Sequence, residues 1–420
     1  MMKKRSIILS AFFLSACFYI QSIYAQIHRT ETFSTRIQTL QVSVADKWEL
    51  PPIINLHQND QIEIRFDLLG AAPEYLTYKI LHCNADWTQS QLIDPEYMNG
   101  LQNTLLNEYS NSFNTKMDYV NYKLLIPNEN ISLLVSGNYV VQVFSESSEE
   151  PILDACFSVV EPQANINMKV SPLTDKGSNS KYQAVSFDIT YGNEIQSPVQ
   201  DLKVYVQQND RRDNEAKLVK PLSIQNRKAV YDHNPDLIFD GGNEYRSFEM
   251  VSALHTGLNI EAVEYHSPYY HAILSPDFLR SNRSYSYFED INGRVFIRNE
   301  DAYDSNIEAD YQFVHFYIPS EKPLIDDVYI LSRAFHNNLD FRSQMEYSAR
   351  DKGYIKTVLL KEGYYNYLYV TKKDPSSSGS TALIEGDFYQ TENEYRVMVY
   401  SRTIGLKYDK LIGVESLQFK

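Results

Sequence analysis

The sequence predicts an all-β protein, and three observations carry that prediction. Apolar and polar residues alternate at period two in short runs along the chain, as where Ile62, Ile64 and Phe66 interleave with Glu63, Arg65 and Asp67. Turn residues separate these runs, as at Ser136-Gly137-Asn138 and Asp240-Gly241-Gly242-Asn243. The chain also carries 33 tyrosines against 2 tryptophans and 3 cysteines. Tyrosine suits a pleated, half-buried surface, so strand filling is its default role here rather than a ligand platform. With 43% hydrophobic residues and only 15 glycines and 16 prolines among 420 residues, the chain can fill real cores in roughly two to four domains.

Residues 1–25 read as a secretory signal peptide. Lys3, Lys4 and Arg5 form a basic start, an apolar run follows, and Ala25 precedes the expected cut. A rival cut at Leu14-Ser15-Ala16-Cys17 would leave Cys17 lipidated. No later stretch holds about 18 consecutive apolar residues, so no direct membrane span by a helix is expected. Removing residues 1–25 takes away three positive charges and moves the net charge from −15 to −18. So acidic a chain repels phosphate backbones and anionic headgroups, which argues against nucleic-acid binding.

In residues 26–161 strand patterns succeed one another. Leu40, Val42 and Val44 alternate with Gln41 and Ser43, and the run from Tyr75 to Trp87 (YLTYKILHCNADW) is apolar on both faces. That run reads as a central strand covered on two sides, ending in a polar corner with a large aromatic. With runs at 122–126, 139–144 and 152–160 it predicts an immunoglobulin-like β-sandwich. Cys156 alternates with Asp154 and Ser158 and is expected to face outward while Cys83 faces a core; a bond between the two stays open. Between residues 94 and 113, Tyr97, Leu101, Leu105 and Tyr109 recur every four residues beside Met98 and Leu106. The spacing predicts a short amphipathic helix or an ordered crossing loop capping one end of the sandwich.

A middle sandwich is expected over 162–310. Val185, Phe187 and Ile189 alternate with Ser186 and Asp188, Leu202, Val204 and Val206 alternate with Lys203 and Tyr205, and 209–214 is a solvated turn. A third is expected over 311–420, opening with Tyr311, Phe313, His315 and Tyr317. The class is therefore tandem immunoglobulin-like sandwiches with few short helices.

Chemistry is sparse. His266 and His271 lack the partners of a metal spacing. Asp301, Asp304 and Asp310 lack the glycine turn of a calcium loop. There is no phosphate loop, nucleophile elbow or H-E-x-x-H helix. Neither an enzyme nor a cofactor is expected.

Several strings together resemble the plug protein family of the bacterial type IX secretion system. They are His82-Cys83-Asn84-Ala85-Asp86-Trp87, Glu108-Tyr109-Ser110-Asn111-Ser112-Phe113-Asn114-Thr115, Ser136-Gly137-Asn138-Tyr139, Asn243-Glu244-Tyr245-Arg246 and Asp290-Ile291-Asn292-Gly293-Arg294, then Gly363-Tyr364-Tyr365-Asn366-Tyr367 and residues 386–395. The resemblance implies a non-catalytic protein of the periplasm that closes the periplasmic mouth of a large outer-membrane β-barrel translocon while its shuttle partner is absent. On that reading the surplus of Tyr, Met and Leu in 94–113 makes Tyr97, Met98, Leu101 and Tyr109 the candidate partner-binding residues. The alternative is a glycan-binding module using Tyr365, Tyr367 and Tyr369, which share one strand face.

Overall fold

A computed structural model describes residues 26–146 and 149–420; the expected signal peptide, with Cys17, lies outside them. About 47% of the chain is strand and about 5% helix, which makes the fold all-β. The first sandwich is built from β1 (Ile37–Val44), β2 (Ile62–Leu69), β3 (Leu76–Cys83), β4 (Tyr119–Ile126), β5 (Gly137–Ser145) and β6 (Leu153–Val160). One sheet runs β6-β5-β3 and the other β1-β2-β4. Ile62, Ile64 and Phe66 face Ile80, Tyr139, Val141 and Phe157 in a continuous core, as their alternation requires.

β3 is covered on both faces. Leu76, Tyr78 and Ile80 enter the core, while Leu81 and Cys83 on the other face pack with Trp87, Val140 and Cys156. The outward placement expected for Cys156 is thus corrected, because a second unit lies over this sheet. Both cysteines are free. Cys83 sits opposite Asn138, Cys156 opposite Val140, and β5 runs between them. Two inter-strand spacings, about 9–10 Å, exceed the roughly 7 Å that a disulfide bridges. Burial pushes the Cys156 thiol up to about 11 and Cys83 higher still, so both stay protonated.

The expected helix in 94–113 is one turn only, Asp94–Tyr97. Thr104–Leu105 then pairs with β3 and Tyr109–Asn111 with β4. The segment is an ordered crossing loop, carrying the chain from the edge of one sheet to the edge of the other. Asn99, Gly100 and Asn103 end the helical pattern, and Gly100 takes φ +136 against the Asn130 carbonyl.

The second sandwich starts with β7 (Asn165–Ser171), β8 (Tyr182–Thr190), β9 (Leu202–Gln208) and β10 (Lys228–Tyr231). A third follows before it is complete. Its strands are β11 (Arg246–Met250), β12 (Ile260–His266), β13 (Tyr269–Leu274), β14 (Val295–Ile297), β15 (Tyr311–Pro319), β16 (Asp327–Leu331), β17 (Gly353–Lys361) and β18 (Gly363–Lys372). The chain then returns. β19 (Asn393–Ser401) pairs with β9 from Leu202↔Ser401 to Gln208↔Tyr395, and β20 (Lys410–Phe419) pairs with β19. Tyr395, Val397 and Val399 complete the core around Phe187, Val204 and Val206. The partition expected at residue 310 therefore cuts one sheet, since β13 and β15 pair in parallel across it. It also separates β19 from its partner β9. Alternation tells which residues face a core, not which core.

One glycine holds the start of β5. Gly137 has φ +141, and a Cβ there would lie 2.4 Å from His82 Nε2. The His82 ring cannot yield: it is buried, with Nδ1 2.9 Å from Ser90 Oγ and Tyr139 against its edge. Burial holds His82 down at about 4, so it is neutral. Gly137→Ala is expected to cost about 2–3 kcal/mol, read as a lowered urea midpoint at unchanged slope.

Candidate docking surface and the joints that fix it

Segment 94–113 has an inner and an outer side. Tyr97 and Met98 are each 2% exposed. The Tyr97 hydroxyl donates to the Ile80 carbonyl at 2.8 Å and to Asp94 Oδ1 at 2.7 Å, and Met98 pairs with Leu133. These two candidate partner-binding residues are core anchors, out of reach of any partner. Leu101 at 80% and Tyr109 at 45% are exposed, as are Ile93 and Phe113 at the two ends of the segment. Such apolar groups on an acidic body are what a protein partner would cover. Lys407 bonds Glu96 Oε1 at 2.8 Å, tying the base of the segment to the second sandwich.

Three carboxylates, two fully buried and one half-buried, join the sandwiches pairwise. Asp67, on β2, is fully buried and accepts from Lys361 Nζ at 2.6 Å, Tyr311 Oη at 2.6 Å and Asn121 Nδ2 at 2.7 Å. Lys361 also donates to the Asn306 carbonyl at 2.6 Å and lies 4.1 Å from the centre of the Tyr119 ring. Burial lowers the Lys361 ammonium pKa, and Asp67 opposes that shift. Asp409, equally buried, accepts from the Ala85 N–H at 3.0 Å and pairs with Lys203 at 2.8 Å. The tight corner after β3 is thereby clamped to the second sandwich. Trp87, φ +66, closes that corner with Arg212 stacked 3.9 Å from its ring centre. Asp210 bridges Arg396 of the second sandwich and Arg333 of the third.

Other sequence candidates prove structural. The His266 and His271 rings lie 4.7 Å apart at a tilt across the β12–β13 hairpin, and His271 Nδ1 lies 2.8 Å from His315 Nε2. Among the described residues no group of His, Cys, Asp and Glu is arranged to hold a metal ion. Asp304 caps the turn Ser305–Glu308 by accepting from Asn306 N, Asp310 accepts from the N–H groups of Lys116, Met117 and Tyr311, and Asp301 stays in the loop. Tyr365, Tyr367 and Tyr369 are at most 3% exposed, and Tyr367 and Tyr369 both donate to Asp277. They offer no ring face to a sugar. No described helix is long and apolar enough to cross a membrane.

A family model described as the first domain of the Type 9 secretion system plug protein matches residues 37–161. The chain belongs to the type IX secretion system plug family. This match spans β1 to β6, the whole first sandwich with its crossing segment. A crystal structure of a hypothetical protein from Parabacteroides merdae ATCC 43184 is similar over 94% of this chain and 100% of that one, at 44% identity and a TM-score of 0.92. The arrangement of all three sandwiches is thus shared with that protein. No curated protein matches. Plug-family membership associates the chain with type IX secretion.

Sequence reasoning missed the joints of this plug-family chain. Asp67 reads as the polar member of an alternating strand and Lys361 as part of a short hairpin with Glu362 and Gly363, so neither announces a buried ion pair. Removing one partner strands a buried charge, so Lys361→Met is expected to cost about 3–5 kcal/mol. The double variant Asp67→Leu with Lys361→Met should recover part of that in urea unfolding. A second expectation concerns pH. Burial pushes Glu244 up to about 7 and Asp290 up to about 6. Both are raised above ordinary carboxylates, so the folded state holds the extra protons. Their contribution is complete below about 4.5 and lost as pH rises through 6 to 7. Thermal melting should fall between pH 5 and pH 8, and Glu244→Gln should flatten that fall.

Proposed function

We propose that this protein is a periplasmic plug that binds the periplasmic end of the large outer-membrane β-barrel translocon of the type IX secretion system and blocks its pore when no shuttle partner is engaged. The observation that carries the reading is the plug-family first sandwich locked by buried ion pairs into a larger three-sandwich body. Occluding a wide pore requires bulk of fixed shape rather than chemistry. Buried pairs serve this purpose, because breaking one leaves an uncompensated charge and the bodies do not slide. Gating also requires preference for the empty translocon. A swing from 1:99 to 99:1 occupancy needs about 5.5 kcal/mol of differential binding. An interface of roughly 1,600 Å² with a few apolar anchors can supply it.

The outer side of the crossing segment offers such anchors at Ile93, Leu101, Tyr109 and Phe113. Affinity purification of the tagged protein from native outer membranes should recover a very large β-barrel without its shuttle partner, and a deletion strain should admit large antibiotics. Leu101→Asp and Tyr109→Asp together should keep the melting temperature and lower barrel recovery by about tenfold or more. Undiminished recovery would move the docking surface elsewhere.

A further inference from the structure

The three sandwiches line a half-open cavity of about 640 Å³ where they meet, a size typical of ligand sites at domain junctions, about 300–1,000 Å³. The first contributes β1 and Trp48, the second Asp210, Arg212 and Arg396, the third Arg294, Arg333 and β14. Its lining is richer in cations than the molecule as a whole. Seven lysines and arginines line it against three aspartates and glutamates, whereas the chain has 39 of the former and 54 of the latter. Arg294, Arg333 and Arg396 share only two carboxylates, Asp210 and Glu394. Arg212 stacks on Trp87 and donates to the His28 carbonyl at 2.9 Å, and no described carboxylate pairs with it. Two lining residues less than a tenth exposed hold polar atoms without a partner, Nε of Arg294 and Oδ1 of Asn337. Unmatched buried donors and acceptors of this kind await a ligand or ordered solvent.

The walls also present unpaired strand edges. β1 is the outermost strand of its sheet, and β14 pairs only with β18. The Ala45 N–H donates to the Gln61 carbonyl, which fixes the phase of pairing. Antiparallel pairing alternates, so the backbone groups of Val42 point away from β2. Arg298 N–H to Glu362 and Asn366 N–H to Arg294 fix β14 likewise, turning the groups of Val295 and Ile297 outward. Trp48 and Phe296, with ring centres 4.9 Å apart, are 41% and 39% exposed and mark the mouth.

We propose that this junction cavity binds an extended peptide strand carrying carboxylate side chains. Main-chain hydrogen bonds add the peptide to a free edge, alternate side chains reach the guanidinium groups, and the aromatic pair holds the emerging chain. A peptide of opposite sign would bury cation against cation, so charge sets the specificity. This site does not depend on docking to a translocon.

The test uses purified full-length protein and a short fluorescein-labelled peptide of alternating glutamate and valine, read by fluorescence anisotropy. The same peptide with lysine for glutamate, and inorganic phosphate as competitor, are the controls. The acidic peptide should bind at least about tenfold more tightly than the basic one, with affinity falling as salt rises. Val42→Pro removes an outward N–H without touching the β2 ladder, and Arg212→Gln removes the cation lacking a carboxylate. Each should weaken binding about tenfold in protein whose cooperative melting shows that it is folded. If Val42→Pro fails to fold, Arg212→Gln alone decides. No binding, equal binding of both peptides, or binding that both variants leave intact would overturn the proposal. Displacement by phosphate with no effect of Val42→Pro would reduce it to an anion site. None of these outcomes bears on recovery of the barrel, which tests the plug reading separately.

Discussion

The ion pair between Asp67 and Lys361 is the constraint on which the rest of the body depends. It lies at the contact of the first and third sandwiches, with no exposure to water, and every polar group around it is used. Two charges taken from water are stabilising only with such complete compensation. The pair therefore dictates its surroundings: Tyr311 must present its hydroxyl, Tyr119 its ring face, and Asn121 its amide. A hydrophobic contact would tolerate sliding by a residue, whereas a compensated buried charge does not. Asp409 and Asp210 repeat this logic at the other two contacts.

The sequence made the strands legible and their assembly much less so. Period two identified β1 to β6, the covered faces of β3, and the all-β class, because alternation follows directly from burial on one face. The same signal cannot say which core a strand joins. Tyr311 to Tyr317 read as the start of a new unit, yet β15 pairs with β13 on the other side of that boundary, and β19 completes a sheet begun at β9. Cys156 was misplaced for a related reason. Its outward face is the floor of an inter-sandwich contact, and nothing local announces the body that covers it. In the candidate surface, four-residue spacing suggested a helix, but what recurs is a pair of anchors, Tyr97 and Met98, and a pair of outward groups, Leu101 and Tyr109.

The strings by which the family is recognisable sit mainly at joints. His82 lies against Gly137, the Asn84 carbonyl accepts from Asn138, and Ala85 meets Asp409. Asn243 and Arg246 are bound to Glu385, and Gly293 packs on the Tyr245 ring. Such positions demand specific residues because a buried hydrogen bond or a missing side chain is required there. A docking surface asks mainly for apolar area and lacks such demands. Family identity is therefore more easily read from the chain than the surface through which the protein acts.

The return of β19 and β20 to the second sandwich has a consequence for how the molecule comes into being. A chain made from its N-terminus can close the first sandwich early, since β1 to β6 are contiguous. The second cannot close then, because β9 lacks its neighbour until residues 393–419 have emerged. In the interval the third sandwich, contiguous from β11 to β18, completes ahead of the unit that precedes it in sequence. Half a core and an open strand edge stay exposed throughout, the condition under which nascent chains most readily associate wrongly. The last strands made are thus the closing step of assembly, and a chain truncated before residue 393 would retain two finished bodies held to an unfinished one.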